Sequence, residues 1–398
     1  MGGVLYGKFQ GDADIAGVGI WYAYLVISCI ALVASIIYFL QSMKFGIPIG
    51  EHGVRYRPLD NKKTFKEIPR RTIAINTFEA ILLSCSDQQI FTSGAYTWVL
   101  LFSKQACKTS AYHFNIIGNM LLITCATHLL SITFVSQYWK RKLLAIIRIL
   151  LISALYMATG YIMINQNVQG KNAWPTEVPP ANETDNVLLL PAACFKSKTH
   201  FDTMLKNTFG SGVDRFEKVM ISSNPGNHVH GWNLYVLMAL FYGGCIIAEI
   251  FRCIYRYNHD TTIHKDVKWK GWRRIFSGIF LLYQLAGIVI STCSIIYCYL
   301  YIRDMREWMN GSGWIEPNAS GANPERDYLT YGQMIPILLT FMTFFACLQL
   351  WSDQYSERRQ RNEDIHFNDL ESSNTTPQIS QGSFSAKKDH ITNITAVP

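Results

Sequence analysis

The sequence predicts an all-α polytopic membrane protein, a bundle of seven transmembrane helices with its amino terminus outside and its carboxyl terminus in the cytosol. Three observations predict it. The 398-residue chain is 49% hydrophobic but only 16% charged, against about 25% charged residues in soluble domains. Its apolar residues gather into stretches near the roughly 20 residues that span a 30 Å hydrocarbon core at 1.5 Å per residue. Its Lys and Arg residues gather in alternate connections, as the positive-inside rule requires.

Six stretches are plainly long and apolar enough: Ile15 to Leu40, Phe114 to Val135, Leu143 to Ile164, Trp232 to Ile254, Ile275 to Ile302 and Tyr331 to Trp351. The seventh, Phe78 to Phe102, carries Ser84-Cys85-Ser86-Asp87-Gln88-Gln89 in its middle. Topology argues for counting it, because otherwise the basic stretch from Lys44 to Arg71 would leave the side that holds the other basic loops. With seven spans, connections assigned to the cytosol hold 23 Lys and Arg against 12 outside. Half of the outer basic residues lie in the long loop 165–231, and loops of that length barely influence orientation. No short apolar core with a small-residue cleavage site begins the chain, so the first span is expected to remain as an anchor.

The net charge of +8 fits cytoplasmic loops beside anionic lipid, and no nucleic-acid-binding motif accompanies it. Residues 352–398 lose apolar periodicity and are rich in Ser, Thr, Asn, Gln and charge, the composition of a disordered cytosolic tail. The basic segment Arg252 to Arg274 and this tail are the expected contacts for a cytosolic partner. The expected location is the plasma membrane or another membrane of the secretory pathway, with the lipid bilayer as the constant partner.

Three sequons, at Asn182, Asn310 and Asn318, fall in loops assigned to the outside, where glycans are added. Eight of the ten cysteines fall within spans, leaving Cys107 before the third span and Cys194 in the long loop. Both face an oxidising compartment, so a Cys107–Cys194 disulfide is expected to tie the loop over the bundle mouth. No metal-ligand spacing, phosphate loop or nucleophile motif is present. Neither an enzyme nor a cofactor is therefore expected, and His228 and His230 read as interfacial polar residues.

Ionisable residues at membrane depth are costly and draw functional attention. Asp87, with Gln88 and the neighbouring polar residues, reads either as a cation, proton or ligand site or as interhelical hydrogen-bond glue. Asn115 and Asn119 share a face of the third span, whereas His128 points the opposite way, so that helix is expected at the bundle centre. Arg148 is expected either to snorkel to the headgroups or to latch onto Glu249, which in turn has Arg252 one turn away.

The ordered set Asp12-Ala13-Asp14-Ile15-Ala16-Gly17-Val18-Gly19, Ser86-Asp87-Gln88-Gln89, Tyr112-His113-Phe114 and Thr127-His128-Leu129 resembles a family of uncharacterised heptahelical integral membrane proteins of filamentous fungi. The resemblance covers mainly the first three helices and implies the architecture without an activity. Topology alone is also similar to that of G-protein-coupled receptors. The third helix, however, ends without an Asp-Arg-Tyr-like triplet, and the seventh lacks an Asn-Pro-x-x-Tyr-like motif. The expected function is receptor-like or sensory, with a ligand site under the Cys194 loop. The alternative is a transporter or channel whose path is lined by Asp87, Asn119 and Gln284.

Overall fold

The computed structural model describes residues 5–45, 68–102, 108–135, 142–163, 174–195, 228–260, 270–318, 321–327 and 331–374. Cys107, the loop 261–269, the Glu249 side chain and residues 375–398 lie outside the described set. Among the described residues the regular structure is helical, with no strand beyond two isolated bridges. A single-turn helix α1 (Ala13–Ala16) is followed by seven long ones: α2 (Val18–Phe45), α3 (Ile68–Phe102), α4 (Ala111–Phe134), α5 (Lys142–Met163), α6 (Trp232–Asp260), α7 (Lys270–Ser312) and α8 (Tyr331–Asn374).

Local chemistry sets several ends. The Asp12 side chain accepts the Asp14 N–H at 3.0 Å and caps α1. Ser110 does the same for α4 through the His113 N–H at 3.3 Å. Such caps satisfy donors that the first helical turn leaves free. Past the end of α7, Gly313 takes a φ of +74°, the left-handed position where glycine avoids the Cβ penalty.

The helices run furthest past the expected spans at three places. α3 begins at Ile68 rather than Phe78, α7 continues from Ile302 to Ser312, and α8 passes Trp351 into the segment read as an irregular tail. Residues 352–374 contain no Gly or Pro, so no strong helix breaker stops the helix that begins at Tyr331. Residues 1–350 form one compact unit and 351–398 another.

Five described segments are long and apolar enough to cross a membrane: Ala13–Gln41, Ala111–Phe134, Leu143–Met163, Leu281–Ser312 and Gly332–Gln349. α6 offers a shorter apolar stretch, Trp232–Ala248. α3 falls short on composition, because its polar run dilutes the window. Its packing is nevertheless continuous. The Tyr24 and Ser93 hydroxyls meet at 3.1 Å, Gln89 Nε2 donates to Ser28 Oγ at 3.0 Å, and Tyr38 donates to Glu79 at 3.4 Å. Each advance along α2 is matched by an equal retreat along α3, so the two helices pack antiparallel in one register.

α4 is the pillar of the bundle. All 24 of its residues are buried, and it packs on α2, α3, α5, α6 and α7. Outward-facing positions elsewhere are apolar: Leu143, Leu150 and Met157 follow one another at seven-residue intervals on α5, and Phe341, Met342 and Phe345 stand out on α8. Hydrogen-bonding groups turn inward instead, the reverse of a soluble helical bundle.

Candidate functional site

Two levels of the bundle gather polar chemistry. The first lies near the middle of α3 and in the last third of α4. Ser86 Oγ and His128 Nδ1 are 2.8 Å apart, and Gln89 Nε2 donates to Ser28 Oγ, which meets Thr127 Oγ1 at 2.9 Å. Because Ser86 and Gln89 are neighbours on one helix face and Thr127 and His128 are consecutive, these contacts close a ring through α2, α3 and α4. Polar rings of this kind are conformationally specific, since a one-residue slip would orphan several groups at once. His128 Nε2 and Gln89 Oε1, both fully buried, find no protein hydrogen-bond partner among the described residues.

Asp87 faces the other way. Arg148 on α5 donates from Nε to Asp87 Oδ1 at 2.7 Å and from Nη2 to Oδ2 at 2.5 Å. This departs from the expectation that Arg148 snorkels to headgroups, while the Glu249 side chain of the alternative latch lies outside the described residues. A planar guanidinium gains two charge-assisted bonds from a carboxylate at the same depth, whereas snorkelling would leave Asp87 without its counter-charge. Next to it, Gln88 Oε1 accepts from Thr343 on α8. The polar run that weakens α3 in hydropathy therefore distributes its side chains around the helix, to α4, α5 and α8.

Asn119 and Gln284 do not join Asp87. Asn119 donates to the Asn115 carbonyl at 2.9 Å and lies 3.4 Å from His230 Nδ1, near the start of α6. Gln284 is buried on α7, and its side-chain oxygen finds no hydrogen-bond partner among the described residues. The three residues expected to line one path thus occupy separate contacts.

The second level is the cap, at the end of the bundle that holds the starts of α2, α4, α6 and α8. Residues 174–195 lie over it. Trp174 is buried, donates from Nε1 to Asn115 Oδ1 at 2.8 Å, and packs edge-on against Phe114 and Phe195. Asn115 returns a bond to the Pro175 carbonyl at 2.8 Å. The Ala111 N–H donates to the Leu190 carbonyl and the Ala192 N–H to the Thr109 carbonyl, each at 2.8 Å. Cys194 carries a free, exposed thiol; backbone bonds attach its segment to the start of α4, and Cys107 is outside the described residues.

Beneath this cover lies a cluster that reading the sequence missed. His113 Nδ1 meets Ser110 Oγ at 2.9 Å, while Nε2 faces both Glu325 Oε1 at 3.1 Å and the Asp12 N–H at 3.2 Å. Tyr112 donates to Glu325 Oε2 at 2.9 Å. Arg306 donates to the Glu325 carbonyl at 3.4 Å and lies 5.2 Å from the centre of the Trp21 ring, within cation–π range. Burial raises the Asp12 carboxyl above its ordinary range, with the His113 charge acting against that shift. His113 Nε2 cannot accept from Asp12 and donate to Glu325 at once, so the position of one proton selects which bond forms. Tyr112-His113 was visible as a motif, but nothing in the sequence pointed to a partner more than 200 residues away.

At the edge of α6, burial pushes His230 down to about 4. Its ring stacks on Tyr301 at 3.6 Å and Tyr297 at 4.5 Å. Among the sequons, Asn182 is exposed on a turn, Asn310 accepts from Asn323, and Asn318 accepts from the Ala322 N–H at 2.9 Å. Among the described residues no group of His, Cys, Asp or Glu side chains is arranged to hold a metal ion.

An apolar exterior around a hydrogen-bonded helical interior defines a polytopic helical membrane protein. No protein family, curated protein or solved structure matches the chain.

Proposed function

We propose that the protein is a receptor-like or sensory heptahelical membrane protein, with the cap and amino terminus outside and the tail of α8 in the cytosol. One observation carries the reading: the first turn of α4 is held by three separate cap segments, and the rest of this wholly buried helix is hydrogen-bonded into its neighbours. A ligand that shifts any cap segment acts directly on the helix touching most of the bundle. The continuous register of α3 against α2 supports counting it as a span, which makes seven. The basic residues from Arg252 to Arg274 and the tail would then meet a cytosolic partner.

The separate contacts of Asp87, Asn119 and Gln284 favour this reading over a transporter. A Cys107–Cys194 disulfide belongs to the same proposal. Its support is the antiparallel bridge between Ser110 and Pro191, which lies three residues along the chain from each cysteine. Glycan attachment at Asn182 would mark the cap side as outside.

The test is cross-linking and pull-down from native membranes. Capture of a cytosolic protein that depends on the Arg252 to Arg274 segment or the tail supports the reading. No such dependence, together with ion or solute flux in liposomes abolished by Asp87→Asn, would replace it with transport.

A further inference from the structure

After a turn at Tyr6 and Gly7, closed by the Lys8 N–H to the Leu5 carbonyl at 3.0 Å, residues Lys8 to Gln10 bind the cap as an extended peptide would. The Phe9 N–H donates to the Trp314 carbonyl at 2.9 Å, and the Glu316 N–H donates to the Phe9 carbonyl at 2.8 Å, a parallel bridge with Ile315. Phe9 is 4% exposed. Its ring stacks on the His113 imidazole, with centroids 5.6 Å apart and planes 10° apart, and meets the edge of Tyr112 at 6.3 Å. Tyr6 lies edge-on to Trp314 at 5.2 Å and donates to the Ser312 carbonyl at 3.2 Å. Main-chain bonds to a neighbouring segment together with a socket for one side chain are the two parts of extended-peptide recognition, here reduced to a single bridge.

The hold is narrow. Phe9 supplies the one buried large side chain of the segment, whereas Leu5 and Tyr6 are 75% and 64% exposed. The Lys8–Glu316 pair at 2.7 Å is open to solvent, and such pairs contribute little. Covalent attachment compensates, because a short tether presents its segment at an effective concentration of the order of mM. Occupancy in cis therefore needs only modest intrinsic affinity.

We propose that the surface formed by Tyr112, His113, Trp314 and Ile315 is a binding site for an extended peptide bearing an aromatic side chain, and that the amino-terminal segment occupies it as a displaceable internal ligand. The proposal rests on reading the cap as the ligand-taking end and names the ligand class for it. Displacement would move the Phe9 ring off His113 and free the segment leading to Asp12, whose N–H meets His113 Nε2. The change therefore begins on the first turn of α4.

The probe is a fluorescent synthetic peptide of residues 1–12, added to purified chain lacking residues 2–10 and to full-length protein. It is expected to bind the shortened chain saturably and the full-length chain at least ten-fold more weakly. A Phe9→Ala peptide should bind the shortened chain at least ten-fold more weakly than the parent peptide. Equal binding to both chains, or binding to neither, overturns the proposal. Should the shortened chain misfold, the full-length Phe9→Ala protein must bind the parent peptide more tightly than wild type does, and no gain overturns it equally. Peptide binding is read without a cytosolic partner, so this result and the pull-down fail independently.

Discussion

Arg148 on α5 holds Asp87 on α3 through two parallel hydrogen bonds, Nε to Oδ1 and Nη2 to Oδ2, with about a fifth of one side chain and a third of the other exposed. Removing one partner of a fully buried pair costs roughly 3–5 kcal/mol, because a charge is left without compensation. Asp87→Asn and Arg148→Gln are each expected to destabilise by about 3 kcal/mol, and the double variant by clearly less than their sum. Unfolding titrations in mixed micelles measure all three. Strict additivity would mean that the pair is not coupled.

Asp12 gives a pH dependence of opposite sign to that of a salt-bridged carboxylate. Burial raises its pKa in the folded protein above the ordinary 3.8, so between those values the folded state holds more protons than the unfolded one. This contribution to stability is fully present below 3.8 and is lost as pH rises through the folded value. Asparagine caps a helix as well as aspartate does. Asp12→Asn should therefore be more stable than wild type at pH 7, with the advantage closing as the pH falls toward 3.8. Thermal melts across that range check it, and an advantage independent of pH would refute the assignment.

The helices were legible in the sequence because each long apolar stretch is a local property, and six helix starts or ends fall on or beside the expected residue. The partners were not. Helical periodicity says that Asn119 and His128 point apart, but not that His128 meets Ser86 or that Asn119 lies beside His230. Arg148 and Asp87 are 61 residues apart on different helices, and no local pattern links them. Glu325 was harder still, since it sits in a short turn, Pro324–Arg326, with no apolar pattern to mark it as buried. The cap is built from such irregular segments, so the part of the molecule richest in long-range contacts carried the weakest sequence signal.

His230 behaves as a base that the fold keeps neutral. Its pKa falls from 6.5 to about 4 because burial between Tyr301 and Asn119 disfavours the imidazolium. Stability from this group is present above 6.5 and is lost as pH falls toward 4, amounting to about 2 kcal/mol by pH 5 at 1.36 kcal/mol per unit. His230→Phe, which retains an aromatic ring to stack on Tyr301, should abolish that part of the loss. Melting temperatures of wild type and variant at pH 7 and pH 5 decide it, and equal losses would locate the acid sensitivity elsewhere.

Trp174 joins the long loop to α4 by two separable means, its ring against Phe114 and Phe195 and its Nε1 bond to Asn115 Oδ1. Trp174→Phe preserves most of the apolar contact but leaves the buried Asn115 oxygen without its donor, which costs about 1–3 kcal/mol. Trp174→Ala also removes the ring and should cost about 3–5 kcal/mol. If the loop is the cover of a ligand site, both variants should speed backbone hydrogen exchange at Ala111 and Ala192, whose N–H groups bond across the same seam, while the Ser86–His128 level of α4 stays protected. Exchange followed by mass spectrometry separates the outcomes: acceleration confined to the cap supports a cover that opens independently, whereas acceleration along the whole of α4 would mean that the loop is integral to the bundle and cannot open on its own.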